Sequence, residues 1–334
     1  MKVALDSRPV AVGGGAGRYA GCLLKALRET AASSDEVLDT KRPSAVVRAK
    51  GPDVFHATWI EGAMLHSPCP MVVTIHDMAA QKRRSEHLRT SLRQRLRPLA
   101  VQRAASVIVP TAAVAEDAIE QLRLERGRVV VIPEAADSAM YPRSPLEVRV
   151  ARERFGLPER YLLWVGGLEH PDPGNHLAQL AATPRELPLV LVGPTRPWAH
   201  ELPDVILTGS VSDDALAAIY CGAHALMVSA EQEGFGLPAV EALACGTPVV
   251  AADGPALREV LGGCATLVPA RDMRALIEAA QRATRPVPQP RSWSWNDAAR
   301  ATWSVYAQAA KDTDASPSAP PRGLRRRPAR GMQA

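Results

Sequence analysis

Two glutamates, Glu233 and Glu241, bracket the run Gly234-Phe-Gly-Leu-Pro238 with seven residues between them. A glycine-rich loop that opens a helix offers backbone N–H groups and the positive end of the helix dipole to an anion, above all a phosphate. Pro238 suits the first turn of that helix, where its missing N–H costs nothing. Gly246 suits the position just past the helix end. Carboxylates repel an anion, so the two glutamates at such a site are suited to hydroxyl groups of the same ligand. A phosphate flanked by polyols is a nucleotide sugar, so the two glutamates are suited to its sugar or ribose hydroxyls.

These residues need a scaffold, and the flanking chain supplies one. An apolar run at 225–228 and another at 248–252 read as strands on either side of the helix. Further strands are expected at 161–166, 189–193, 205–208 and 265–268, with helices between them such as 213–221 and 273–283. The first half alternates in the same way, with strands at 2–7, 53–58, 71–77, 106–111 and 129–133 and a helix at 112–122. Such alternation predicts α/β halves, each a parallel sheet covered by helices on both faces. Residues 30–50 are polar and poorly patterned, so no strand is assigned there. In parallel sheets ligands gather at the strand carboxyl ends. His56, His76 and Asp77 fall at such ends, His76 being read as functional and His56 as structural. The run Gly13-Gly-Gly-Ala-Gly17 follows the first strand as a loop able to approach a ligand closely, and Arg18 opens the helix after it.

A length of 334 residues suggests two domains. No run of 18 apolar residues is present, and the first residues lack the apolar core of a leader. Five scattered cysteines without a C-x-x-C argue against a disulfide framework or a structural metal and fit a reducing cytoplasm. The net charge of +5 is carried entirely by Arg322, Arg325, Arg326, Arg327 and Arg330, in a Pro- and Arg-rich tail expected to be disordered. Residues 82–103 hold eight Lys or Arg and one acid. There Leu88, Leu92, Leu96 and Leu99 share one helical face beside a stripe of Arg89, Arg93 and Arg97. That helix is read as core-packed with a solvated basic side, or as a peripheral contact with an anionic membrane at its inner face. No specific nucleic acid is expected.

The segment E-G-F-G-L-P-x-x-E-A-L-A-C-G-T-P-V-V resembles the E-x7-E segment of retaining glycosyltransferases of the GT-B fold, in particular family 4. The resemblance spans roughly residues 1–311, strongest at 225–270. It implies two Rossmann-like domains whose parallel sheets face a cleft. An acceptor-side domain would cover 1–140 and a nucleotide-sugar domain 141–292. A closing helix, 293–311, would pack back on the first domain, ahead of a basic tail, 312–334. It also implies transfer of a sugar from a nucleoside-diphosphate sugar to an acceptor with retention of configuration, without a bound metal. His76, Glu233 and Arg18 would be catalytic. Gly15, Gly17, Gly234, Phe235, Gly236, Leu237 and Glu241 would bind the donor. The chain departs from the family at 166–176, where relatives carry a basic pair that neutralises the diphosphate and this chain has none. His170, His176, Arg18 and Arg196 are the candidate substitutes, Arg18 leading. The alternatives are a catalytically impaired nucleotide-sugar-binding protein and a GT-B sugar-nucleotide epimerase.

Overall fold

The computed structural model describes residues 1–78, 92–168, 171–288 and 290–314. Among the described residues, short apolar runs punctuated by Gly, Pro and polar turns form twelve strands in two six-stranded, all-parallel sheets. The first sheet is built from β1 (Lys2–Asp6), β2 (Glu36–Thr40), β3 (Val54–Ala57), β4 (Met71–Thr74), β5 (Ser106–Val109) and β6 (Val129–Val131), in the order β2-β1-β3-β4-β5-β6. The second contains β7 (Leu162–Val165), β8 (Leu189–Val192), β9 (Val205–Gly209), β10 (Ala225–Val228), β11 (Val249–Ala252) and β12 (Thr266–Val268), in the order β12-β11-β10-β7-β8-β9. Central strands such as β3, β4, β8 and β10 are buried along their whole length, as parallel strands covered on both faces must be.

Strand order reverses between β1 and β3 in one sheet and between β7 and β10 in the other. Loops leaving the carboxyl ends of strands at such a reversal diverge to opposite faces and open a crevice. The two crevices face each other, which is why one cleft collects residues from both halves.

Two expectations need correction. Residues 36–40 are a strand, paired in register with β1, and the helix Pro43–Lys50 follows it. The strand lies at a sheet edge with most of its residues half-buried or exposed, so it lacks the apolar run that marks a central strand. Residues 14–17 are not a loop either. They form the first turn of the helix Gly14–Thr30, which starts directly after the short helix Arg8–Val12. A Cβ at Gly17 would lie 2.6 Å from the Pro9 carbonyl oxygen, so this glycine lets the two helices meet.

The closing helix, Trp295–Asp314, packs on the helix Gly14–Thr30 and on β3 and β4. Tyr306 fastens it: its hydroxyl lies 2.6 Å from His56 Nδ1, while His56 Nε2 lies 2.8 Å from Thr74 Oγ1. Burial pushes the His56 imidazole down to about 3, so it is neutral and structural, as read from the sequence. Tyr306→Phe strands one ring nitrogen of a fully buried histidine and is expected to destabilise the fold by about 1–3 kcal/mol. Chemical denaturation midpoints check this.

Candidate active site

The cleft between the two sheets has a volume of about 620 Å³. The first half contributes Gly15 and Ala16 after β1, Trp59, Ile60 and Glu61 after β3, His76 and Asp77 after β4, and Glu134 after β6. From the second half come Gly166, Gly167, Asp172, Gly174 and Asn175 after β7, and residues 230 and 232–238 after β10.

The segment after β10 folds as expected. Gly236 caps the helix Leu237–Ala244 and Pro238 sits in its first turn. Leu237, Ala239, Val240, Ala242 and Leu243 are buried, so one helix face anchors the loop to the core. The loop is also held from across the cleft. Thr111 Oγ1 donates to the Gly234 carbonyl at 3.1 Å, and a Cβ at Gly234 would overlap the His76 carbonyl oxygen. Glu259 accepts the N–H groups of Ala112 and Ala113 at 2.9 and 3.2 Å, satisfying two orphan donors at the start of the helix Ala112–Leu122. Phe235 packs against Trp293 in a tilted arrangement, with ring centroids 5.2 Å apart, just ahead of the closing helix.

Glu233 lines the cleft, and its carboxyl is pushed up to about 8, first by burial and then by Asp77, Glu134 and Asp172. It is therefore mostly neutral at pH 7 and can donate as well as accept a hydrogen bond.

His76 also lines the cleft, with both ring nitrogens committed to the protein. Nε2 lies 2.9 Å from the Thr58 carbonyl and Nδ1 lies 3.1 Å from Glu134 Oε1. Burial alone would lower its pKa, but the Glu134 hydrogen bond and charge outweigh that, and it titrates above the usual histidine value. Two acceptor partners favour the protonated ring, and neither ring nitrogen is left free for the cleft. Tyr19 packs edge-on against the ring at 4.6 Å and hydrogen-bonds Thr74 at 3.0 Å.

Arg18 and Glu241 are brought together, and neither lines the cleft. Arg18 Nε bonds Glu241 Oε1, and Nη1 bonds Asp213 Oδ1 at 2.7 Å. The Tyr220 hydroxyl donates to Glu241 Oε2 at 3.2 Å. Burial raises the Glu241 carboxyl to about 7, opposed by Arg18 and Tyr220. Of the donor-binding glycines expected from the sequence, Gly15, Gly234 and Gly236 line the cleft, as do Phe235 and Leu237. Gly17 is spent on helix packing.

The described candidate substitutes for the basic pair, Arg18, His176 and Arg196, do not line the cleft. His176 faces Glu231 at 3.8 Å, and His170 lies outside the described residues. Among the described lining residues there is no Arg or Lys, against Glu61, Asp77, Glu134, Asp172 and Glu233. Of the three arginines proposed for a membrane surface, only Arg97 has a described side chain, paired with Glu61 at 2.8 Å. The tail arginines lie outside the described residues. Among the described residues no helix is long and apolar enough to cross a membrane, and no cluster of His, Cys, Asp or Glu is placed to hold a metal. Sequence reasoning missed Trp59, Glu61, Trp164, Asp172 and the role of Glu134 in holding His76. Their one available signal is position, each lying at or just past a strand carboxyl end.

Two Rossmann-like halves facing one cleft, with a terminal helix returning to the first half, define a GT-B fold. Residues 37–139 match the family described as Glycosyltransferase Family 4, and residues 159–285 match Glycosyl transferases group 1. The chain thus carries a family 4 glycosyltransferase domain in its first half and a group 1 glycosyltransferase domain in its second. HepE from Anabaena, solved with UDP and glucose, superposes with a TM-score of 0.66 at 18% identity over 95% of this chain and all of that one. Sucrose-phosphate synthase from Thermosynechococcus elongatus gives 0.66 at 20% identity, covering 94% and 98%. At these identities the likeness establishes the fold. Among curated proteins, the chain is 33% identical over 186 residues to an MMP alpha-(1->4)-mannosyltransferase of Mycolicibacterium hassiacum, covering 51% of this chain and 43% of that protein. It is 30% identical over 267 residues to a D-inositol 3-phosphate glycosyltransferase of Kineococcus radiotolerans, covering 66% and 61%. The chain spans about half the length of the curated relatives it matches.

Proposed function

We propose that the chain transfers a sugar from a nucleoside-diphosphate sugar to an acceptor hydroxyl with retention of configuration. The observation that carries this reading is the loop Glu233–Gly236, which opens the helix Leu237–Ala244 directly onto the cleft and lies against His76. The diphosphate sits at the helix N-terminus, where backbone donors and the dipole favour negative charge. Glu233 receives a donor-sugar hydroxyl and Glu241 the ribose diol. The bond from the anomeric carbon to the β-phosphate oxygen breaks, and the diphosphate leaves with the electron pair. The acceptor oxygen bonds that carbon on the same face, and its proton passes to the departing phosphate oxygen. The His76 imidazolium stabilises charge as it builds on the leaving group. No resident metal is assigned a step, so turnover in EDTA should equal turnover without it. Contact of the basic run 82–103 with an anionic membrane is a separate proposal on which the chemistry does not depend.

One observation favours a second reading. The acid-lined cleft, with no Arg or Lys among its described residues, suits a protein that binds a nucleotide sugar without transferring it. Thermal-shift screening against UDP-glucose and GDP-mannose, followed by measurement of nucleoside diphosphate release with and without an acceptor panel, separates the two. Release that depends on an acceptor supports transfer and counts against both the impaired binder and the epimerase. Binding without release across the panel supports the impaired binder.

Glu241→Ala should weaken nucleoside diphosphate binding at least about tenfold, because charged hydrogen bonds contribute roughly 1.5–3 kcal/mol each. Unchanged affinity by calorimetry would remove Glu241 from the site.

A further inference from the structure

Glu241 is the carboxylate that the proposed donor site needs most, and it is closed off. Its side chain is 2% exposed, and both oxygens are engaged, one by Arg18 and one by Tyr220. Tyr220 is fully buried in the helix Asp213–Gly222, in the same half as Glu241. Arg18 comes from the other half, on the helix Gly14–Thr30 beside the cleft residues Gly15 and Ala16. Its guanidinium reaches across to Glu241 and Asp213 at once, a single cation bonded to two carboxylates of the opposite half.

The arrangement is not fully satisfied. Arg18 Nη2 is buried and has no hydrogen-bond partner, and a buried donor left unpaired is unfavourable. Asp213 is half-exposed, so that arm of the bridge is open to water and easily remade. A doubly bonded, buried carboxylate that does not line the cleft cannot receive a ribose diol as it stands. One partner must leave, and Arg18 is the one that separates from Glu241 when the halves move apart.

We propose that Arg18 is an interdomain clasp, which holds Glu241 and Asp213 in the donor-free chain and is displaced from Glu241 by the ribose diol of the incoming nucleotide. The inference rests on the reading of Glu241 as the ribose-binding carboxylate. It assigns Arg18 a positioning and gating role in place of direct contact with the phosphates. An internal contact that must break before a ligand binds lowers apparent affinity by the fraction of molecules in which it is already open. Removing the clasp should therefore tighten nucleotide binding, whereas removing a phosphate ligand would weaken it. The sign of the change decides between the two roles.

The experiment is calorimetry with UDP and with GDP as probes, on wild type, Arg18→Met, Arg18→Lys, Asp213→Asn and Glu241→Ala. Arg18→Met should bind the responding probe about fivefold or more tightly, with a matching fall in donor KM. Arg18→Lys should fall between, since an ammonium lacks the planar fork that holds two carboxylates together. Asp213→Asn, an exposed change that leaves the core alone, should shift affinity the same way by less, and it decides the matter if Arg18→Met fails to fold. Small-angle scattering without nucleotide should give Arg18→Met a larger radius of gyration than wild type, a readout that loss of a local contact would not move. Unchanged or weaker binding by both Arg18→Met and Asp213→Asn overturns the clasp. If Glu241→Ala binds as wild type does, the ribose reading itself has failed. If Glu241→Ala weakens binding and Arg18→Met does not tighten it, only the clasp has failed. Binding of neither probe by any of these proteins overturns both.

Discussion

Gly234→Ala should reduce turnover by about 10²-fold or more while leaving a folded protein. The added methyl group would overlap the carbonyl oxygen of His76 and crowd the Asp77 Cβ at 3.4 Å. The His76 carbonyl belongs to the chain leaving β4, so it cannot rotate aside as the end of a flexible side chain could. The loop must lift off instead. Lifting it breaks the Thr111–Gly234 hydrogen bond and moves Glu233 and the helix N-terminus together. A shift of about 1 Å in groups that position a substrate can lower rate by about 10²-fold. The helix behind the loop keeps its buried face, so far-UV circular dichroism should be unchanged and the melting temperature should fall by only a few degrees. Full turnover in this variant would show that the loop does not need to seat on His76.

Glu233→Ala should cost a comparable factor, about 10²–10³-fold in kcat, the scale of losing one preorganised polar contact in the transition state. The pH dependence identifies the cause. Above about 8 Glu233 ionises beside Asp77, Glu134 and Asp172, adding negative charge where the diphosphate must sit. Wild-type affinity for a nucleoside diphosphate should therefore fall as pH rises through 8, and Glu233→Gln should remove that limb. Stability follows the same group. Its folded pKa lies above the unfolded value, so the folded state binds the extra proton between roughly pH 4.5 and 8. The associated stability is fully present below the unfolded pKa and is lost as pH rises through the folded one. Glu233→Gln should then melt above wild type by a margin that grows from pH 5 to pH 8.5. A neutral or lowered melting temperature at pH 8.5, or an unchanged pH limb, would show that Glu233 is not the titrating group.

Both variants act on a site of which the sequence disclosed one half well. The segment around Glu233 and Glu241 was legible because its signals are local. Two glycines, a proline at a helix start and a glycine at its end each restrict the backbone where they stand, so the strand–loop–helix unit could be placed almost to the residue. Regular alternation of apolar runs and amphipathic helices made the two parallel sheets legible in the same way. The edge strand Glu36–Thr40 escaped because a strand half in water needs no apolar run.

Partnership across the cleft was decided only by the tertiary structure. Arg18 and Glu241 were each singled out from the sequence as ligand contacts, yet their contact with each other joins positions 223 residues apart. No local pattern encodes it, because it depends on how two separately folded sheets meet. His76 was legible as a functional histidine at a strand end. That Glu134 and the Thr58 carbonyl take both its nitrogens, and so favour the charged ring, follows from three strand ends converging. The raised Glu233 pKa has the same origin, since the burial and the neighbouring acids that produce it come from both halves. Residue types and spacing set which chemistry this chain could perform. The packing of one sheet against the other set the charge states and the open or closed condition of the groups that would perform it, because desolvation and Coulomb interaction depend on distance in space, not along the chain.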